Sequence, residues 1–94
     1  MLSIRRLRWD PGNLAHIARH NVTVEEAEEA CHGDPVTLHS YLGRIIVIGP
    51  TQAVRMLAVV LEPEGEDVYY PVTARPASRK ERRYYQGQKG GAQT

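Results

Sequence analysis

The sequence contains very little cysteine and no long apolar segment. Cys31 is the only cysteine in 94 residues, so no internal disulfide can form, which is typical of a reducing compartment. Apolar runs such as Ile45–Ile48 are far too short to span a bilayer, and the N-terminus lacks the apolar region of a signal peptide. These absences predict a cytoplasmic protein with no membrane partner.

The length and the charge pattern limit the architecture further. Ninety-four residues suffice for one domain with a thin core. The net charge of +1 hides blocks of opposite sign: four arginines in residues 1–19, four glutamates in residues 25–29 and six basic residues in 75–89. Such blocks predict separate positive and negative patches. We expect a single domain over residues 1–86 and a disordered tail at 87–94, where the composition is low in complexity.

The first third of the chain carries helix signals after a short basic strand expected at Ile4–Trp9. Asp10-Pro11 places a capping carboxylate before a proline, and Thr23 with Glu26 forms a capping-box pattern, so each marks a helix start. The first helix would bury a stripe of Leu14, Ile17 and Ala18, and the second would bury Val24, Ala27 and Cys31.

From Val36 onward the pattern is typical of strands. We expect strands at Val36–Tyr41, Arg44–Ile48 and Val54–Leu61, followed by a turn centred on Gly65. In the last strand Val68, Tyr70 and Val72 would point inward, and Pro71 indicates a free edge nearby. The resulting order, β-α-α-β-β-β-β-α, predicts an α+β fold with an antiparallel sheet packed by helices.

The segment 73–86 concentrates positive charge at a strand-to-helix junction. Arg75, Arg79, Arg82 and Arg83 follow the spacing i, i+4, i+7, i+8 of one helical face. Ser78 to Glu81 matches a capping box, although Pro76 at the first helical position would start the helix two residues earlier, and Gly87 would end it. The residues alone leave two interpretations open: a solvated face or a platform for an anionic partner.

Taken in order over residues 7–85, these motifs resemble the BrnT-type toxins of bacterial type II toxin–antitoxin systems, which have a RelE-like fold. The matching pieces are Trp9-Asp10, Asn13, Arg19-His20-Asn21-Val22-Thr23, Glu25-Glu26, Asp34-Pro35, Gly43-Arg44 through Gly49, and the closing Val72–Tyr85. The chain departs from the family at Tyr69-Tyr70-Pro71, where members often carry a strand arginine, and at Ala53-Val54-Arg55 and His20-Asn21.

The resemblance implies a ribonuclease that acts on mRNA without a metal or other cofactor and is held in a hetero-oligomer by a cognate antitoxin. Such a reaction needs charge stabilisation and proton transfer. Arg75 and Arg79 are the candidates for the first task, and Tyr85 or His20 for the second. The candidates for RNA binding are Arg44, Arg55, Arg82 and Arg83.

Two other interpretations remain at this stage. Without the strand arginine the chain could be a catalytically silent family member that binds nucleic acid or protein. His16 and His20, at i and i+4, could also bind a metal together with His32 or Cys31, although no carboxylate or cysteine pair completes that set. Cys31 is otherwise expected in the core.

Overall fold

A computed structural model describes residues 2–90, and its elements follow the predicted order. The α+β class is therefore confirmed. A single 3₁₀ turn at Tyr41–Gly43 joins the second and third strands. The elements are β1 (Arg6–Leu7), α1 (Pro11–Ala18), α2 (Val24–His32), β2 (Val36–His39), β3 (Ile45–Pro50), β4 (Met56–Gly65), β5 (Val68–Pro76) and α3 (Arg79–Gly90).

The five strands form one sheet in the order β1-β5-β4-β3-β2. β2 to β5 are antiparallel, as predicted, but β1 pairs with β5 in parallel, with Leu7 opposite Tyr69. The expectation of a wholly antiparallel sheet was wrong at this edge because no local turn joins β1 to its neighbour and fixes its direction. β1 ends opposite Tyr69, so Pro71 lies where β5 has no strand partner on that side, as predicted.

Helices cover both faces of the sheet. α1 and α2 pack on one side, the α1–α2 face, where Ile17, Ala27 and Cys31 join the main hydrophobic core. α3 packs on the other side, the α3 face, where Tyr84 and Tyr85 lie against a smaller cluster around Ile48 and Ala58. Central strands with apolar side chains on both faces are the expected result of this two-sided cover.

A β-bulge in β5 determines which of its side chains lie on each face. Val60 lies opposite Thr73 and Leu61 opposite Pro71, so Val72 is an extra residue on β5. The predicted inward set of Val68, Tyr70 and Val72 was therefore wrong. The buried residues of β5 are Tyr69, Pro71 and Ala74. As a consequence Tyr70, Thr73 and Arg75 lie on the α3 face.

The predicted helix starts are confirmed, but the buried stripes differ. Asp10 and Thr23 cap α1 and α2, each in a capping box. In α1 the buried residues are Asn13 and Ile17, whereas Leu14 is 40% exposed. Asn13 can be buried because its amide donates to the Arg8 carbonyl and its oxygen accepts from the Asp10 N–H. In α2 Ala30 takes the place predicted for Val24.

Several predicted boundaries at glycine and proline were wrong. Gly49 and Pro50 continue β3, and β4 runs through Pro63 to Gly65, because ladder pairing with the neighbouring strands extends over them. α3 begins after Ser78, not at Pro76, and it continues through Gly87 to Gly90. The first four residues of the expected tail are thus helical, and residues 91–94 lie outside the described residues. No helix in the described part of the chain is long and apolar enough to cross a membrane.

Thr73, next to the bulge, has a hydroxyl whose effect on stability can be tested. Its Oγ1 is buried and has no hydrogen-bond partner within residues 2–90. The near-isosteric change Thr73→Val removes an unpaired hydroxyl, so we expect the free energy of unfolding to be unchanged or to rise by about 1 kcal/mol.

Thr51→Val is the matched control, because the buried Thr51 hydroxyl accepts a hydrogen bond from the Arg55 N–H at 3.1 Å. That change should lower stability by about 1–3 kcal/mol in urea denaturation, since it leaves the partly buried Arg55 N–H without its acceptor. Equal losses of stability in the two variants would contradict the conclusion that the Thr73 hydroxyl has no hydrogen-bond partner.

Candidate functional site

An ion pair between Arg75 and Glu81 joins the end of β5 to the start of α3. Arg75 Nη1 and Nη2 donate to the two carboxylate oxygens of Glu81 at 2.7 and 2.8 Å. The side chains are 34% and 14% exposed. The hydrogen bond from Arg75 is the main reason that the pKa of Glu81 falls to about 2, and the same bond raises the pKa of Arg75. Glu81 therefore holds the Arg75 side chain in one orientation and neutralises its charge.

Local sequence fixes the backbone around this pair. The Ser78 N–H donates to Glu81 Oε1 at 2.8 Å, and the Glu81 N–H donates to Ser78 Oγ at 3.1 Å, so the predicted capping box is present. The Ala77 N–H donates to the Met56 carbonyl, which carries the β4–β5 ladder past Pro76. Arg82 Nη1 donates to the Ala77 carbonyl at 2.8 Å. The junction is thus held from the sheet and from the helix.

The outward side of α3 is a surface of one charge sign, which we call the basic ridge: Arg79, Lys80, Arg82 and Arg83. All four are exposed, and none forms an ion pair with a carboxylate within residues 2–90. Glu81, the one acidic residue of the helix, turns inward to Arg75. The arginines at 79, 82 and 83 share a helical side, as predicted. Arg75 does not continue that side, because it belongs to β5.

Tyr85 lies on the sheet side of α3. Its hydroxyl donates to the Asp34 carbonyl at 2.8 Å, and Lys89 Nζ lies 5.9 Å from its ring centre. The hydrogen bond to Asp34 ties α3 to the loop that follows α2. The hydroxyl is thus directed at a backbone acceptor and away from the basic ridge.

The structure does not bring His20 and Arg55 to this site. Arg55 Nη1 lies 3.0 and 3.1 Å from the carboxylate oxygens of Glu26 on α2, and it donates to the Asn21 carbonyl. His20 follows α1, with its ring stacked on His16 at 6.3 Å. Both therefore lie on the α1–α2 face, whereas Arg75, opposite Ala58, points to the α3 face.

Arg44 shares the α3 face but lies at its other end. Its Nε donates to Glu62 at 3.1 Å, and Glu62 is four residues along β4 from Ala58, the partner of Arg75. That separation is about 13 Å along a strand. The eight candidate residues therefore form separate groups, because Arg44, Arg55 and Arg75 each pair with a different glutamate.

The sequence did not reveal a second polar cluster, at the β1–β5 edge. Arg8 forks onto Glu64, its guanidinium carbon lies 4.7 Å from the Tyr70 ring centre, and the Tyr70 hydroxyl donates to Asp10 at 3.1 Å. The pKa of Tyr70 is raised, mainly by burial. The pKa of Asp10 is lowered, mainly by the hydrogen bond that its carboxylate accepts from the Asn13 N–H. Arg8 thus lies beside Tyr70, close to where the family often carries a strand arginine, but it is paired with the carboxylates of Glu64 and Asp10. This cluster forms only because β1 pairs with β5 in parallel, which the sequence did not predict.

The histidines and Cys31 do not assemble into a metal site within residues 2–90. No group of three or more histidine, cysteine, aspartate or glutamate side chains that could hold a metal occurs in this described part of the chain. Cys31 is buried, which raises the pKa of its thiol to about 12 and disfavours the thiolate that a metal requires. His32 Nδ1 lies 3.1 Å from Glu28, one turn earlier on α2.

Comparisons with known proteins place this geometry in a known fold. No family model matches the sequence, and neither does any curated protein. Among solved structures, the chain is similar to the crystal structure of the Brucella abortus ribonuclease toxin BrnT, with a TM-score of 0.64 and 22% sequence identity. The match covers 79% of this chain and 97% of that chain. The BrnT-like fold implied by the sequence motifs is confirmed.

The Arg75–Glu81 pair predicts a pH-dependent stability. The pKa of Glu81 lies below its ordinary value of 4.5, so the pair stabilises the fold above about pH 4.5 and loses this effect as the pH falls toward 2. Glu81→Gln should lower the free energy of unfolding by roughly 2 kcal/mol at pH 7, and the gap should close toward pH 2.

Urea denaturation between pH 2 and 7 measures that gap. Glu66→Gln is the control, because Glu66 is exposed and its carboxylate forms no ion pair within residues 2–90. We expect this control to change stability by less than about 0.5 kcal/mol. A gap for Glu81→Gln that stays constant with pH would show that the charge of Glu81 is not what stabilises the junction.

Proposed function

We propose that this protein is the toxin component of a bacterial type II toxin–antitoxin system, a metal-independent ribonuclease that acts on mRNA in the cytoplasm. A cognate antitoxin would hold it in a hetero-oligomer. The basic ridge carries the proposal: among the described residues its four exposed cations have no carboxylate partner, and the helix that bears them begins at the junction where Arg75 is held. The likeness of the fold to a protein described as a ribonuclease toxin supports it.

The chemistry follows from the positions of the candidate residues. Arg75 and Arg79 lie at the junction and would stabilise charge on the phosphate as its bond to the leaving oxygen breaks. Arg82 and Arg83 would bind the RNA backbone, and Arg44 lies along the same face. Of the two candidates for proton transfer, Tyr85 belongs to α3, whereas His20 lies on the opposite face, so the proposal retains Tyr85.

A second candidate function is RNA binding without cleavage. One observation favours it: neither proton-transfer candidate points toward the ridge, since the Tyr85 hydroxyl is bound to the Asp34 carbonyl. In this alternative the ridge contacts RNA phosphates and no group activates the 2′-hydroxyl.

Incubation of the purified protein with a long RNA in the presence of EDTA separates the two functions. We expect cleavage, and we expect Arg75→Ala to reduce the rate by about 100-fold or more, because one charged donor to the transition state is lost. Thermal denaturation should confirm that the variant is folded at the assay temperature. Induction of the variant should also no longer arrest growth.

Intact RNA after incubation of the wild-type protein, with and without EDTA, would exclude the nuclease and leave the binding function. Unfolding of Arg75→Ala would instead assign the residue to the structural junction with Glu81.

The ridge itself is tested by a charge-matched pair of double variants. Arg79→Gln with Arg83→Gln should weaken binding to single-stranded RNA and reduce the slope of log K against log [KCl] by about 1.4, since two phosphate contacts are lost.

Arg6→Gln with Arg19→Gln removes the same charge from exposed positions off α3 and should leave the slope nearly unchanged. Fluorescence anisotropy measures both. Equal changes in slope would mean that the RNA responds to net charge and not to the ridge.

A further inference from the structure

We infer that Glu81 is the positioning residue of the proposed ribonuclease: it holds Arg75 in the orientation that binds the phosphate of the RNA substrate. The inference rests on the proposed function and adds to it a residue that does not itself touch the substrate. No other carboxylate of α3 could take this role, because Glu81 is the one acidic residue of the helix.

The geometry leaves Arg75 able to bind a second partner. A guanidinium has five N–H donors, and Glu81 occupies one on Nη1 and one on Nη2. Three donors remain, and the side chain is 34% exposed, so solvent or a ligand can reach it. An arginine held at one end by a carboxylate is restricted in its rotamers, and its planar fork is fixed before the substrate arrives.

Glu81 is itself firmly held. Besides the two bonds from Arg75, its carboxylate accepts the Ser78 N–H at 2.8 Å, and its side chain is only 14% exposed. Its pKa of about 2 leaves it without a proton to donate at neutral pH and makes it a weak base. Both of its oxygens already accept hydrogen bonds, so its effect on the reaction passes through Arg75.

This arrangement has opposite effects on binding and on the reaction. Glu81 cancels the charge of Arg75 and so reduces the attraction of the site for a polyanion, whereas it improves the orientation of the guanidinium. The basic ridge supplies attraction that does not depend on Glu81. A change that removes the carboxylate charge should therefore tighten RNA binding and slow the chemical step.

Glu81→Gln tests this, with Ser78→Ala as its matched control. Glutamine can still accept the Ser78 N–H, so the variant keeps that half of the capping box but loses the ionic fork to Arg75. Ser78→Ala removes the hydroxyl of the same box and leaves the ion pair in place. Steady-state cleavage gives kcat and KM, and anisotropy with 2′-O-methyl RNA, which cannot be cleaved, gives Kd.

For Glu81→Gln we expect kcat to fall by about 10-fold or more and Kd to tighten by about 2- to 5-fold. For Ser78→Ala we expect Tm to fall by about 4–8 °C while kcat and Kd stay within about 2-fold of the wild type at a temperature where both variants are folded.

Each other outcome overturns the inference. Wild-type kcat in Glu81→Gln would show that Arg75 needs no positioning, with the nuclease proposal intact. An equal loss of kcat in Ser78→Ala, or a loss of kcat with weaker binding in Glu81→Gln, would assign Glu81 to helix stability alone. Intact RNA with the wild-type protein would instead remove the nuclease proposal, and the inference with it.

Discussion

One carboxylate determines how α3 is attached to the sheet. Glu81 accepts hydrogen bonds from the guanidinium at the end of β5 and from the backbone N–H at the start of α3. Because both groups converge on the same side chain, Glu81 joins the end of the last strand directly to the start of the last helix. This fixed junction lets Tyr84 and Tyr85 pack on the α3 face and leaves the arginines of the helix on the outside.

The bulge at Val72 has a comparable effect within the sheet. It shifts the alternation of β5, so that Tyr69, Pro71 and Ala74 face the main core while Tyr70, Thr73 and Arg75 face α3. One strand thereby serves a closed hydrophobic face and a polar face that α3 covers at one end only. Arg75, the strand residue on which the proposed function depends, lies on that polar face.

The candidate arginines fall into two classes, paired and unpaired, that cannot be told apart from the residues next to them in the sequence. Arg44, Arg55 and Arg75 each pair with a glutamate from another element, whereas the arginines of the basic ridge have no such partner within residues 2–90. The paired residues order the structure, and the unpaired ones give the surface its positive potential. Of the candidate site, the sequence predicted that Arg79, Arg82 and Arg83 share a helical side, which holds for any helix, but it wrongly included Arg75, which belongs to β5.

The sequence by itself determined the elements, their order and their caps, because periodicity and capping boxes act over three or four residues. Asp10, Thr23 and Ser78 cap their helices as predicted. Tertiary structure decided the parallel pairing of β1, the bulge, and the partners of the arginines. These depend on contacts between residues as far apart as Arg8 and Glu64. A pattern along the chain specifies which side chains share a face of one element, but only packing between elements determines which opposite charge each of them meets.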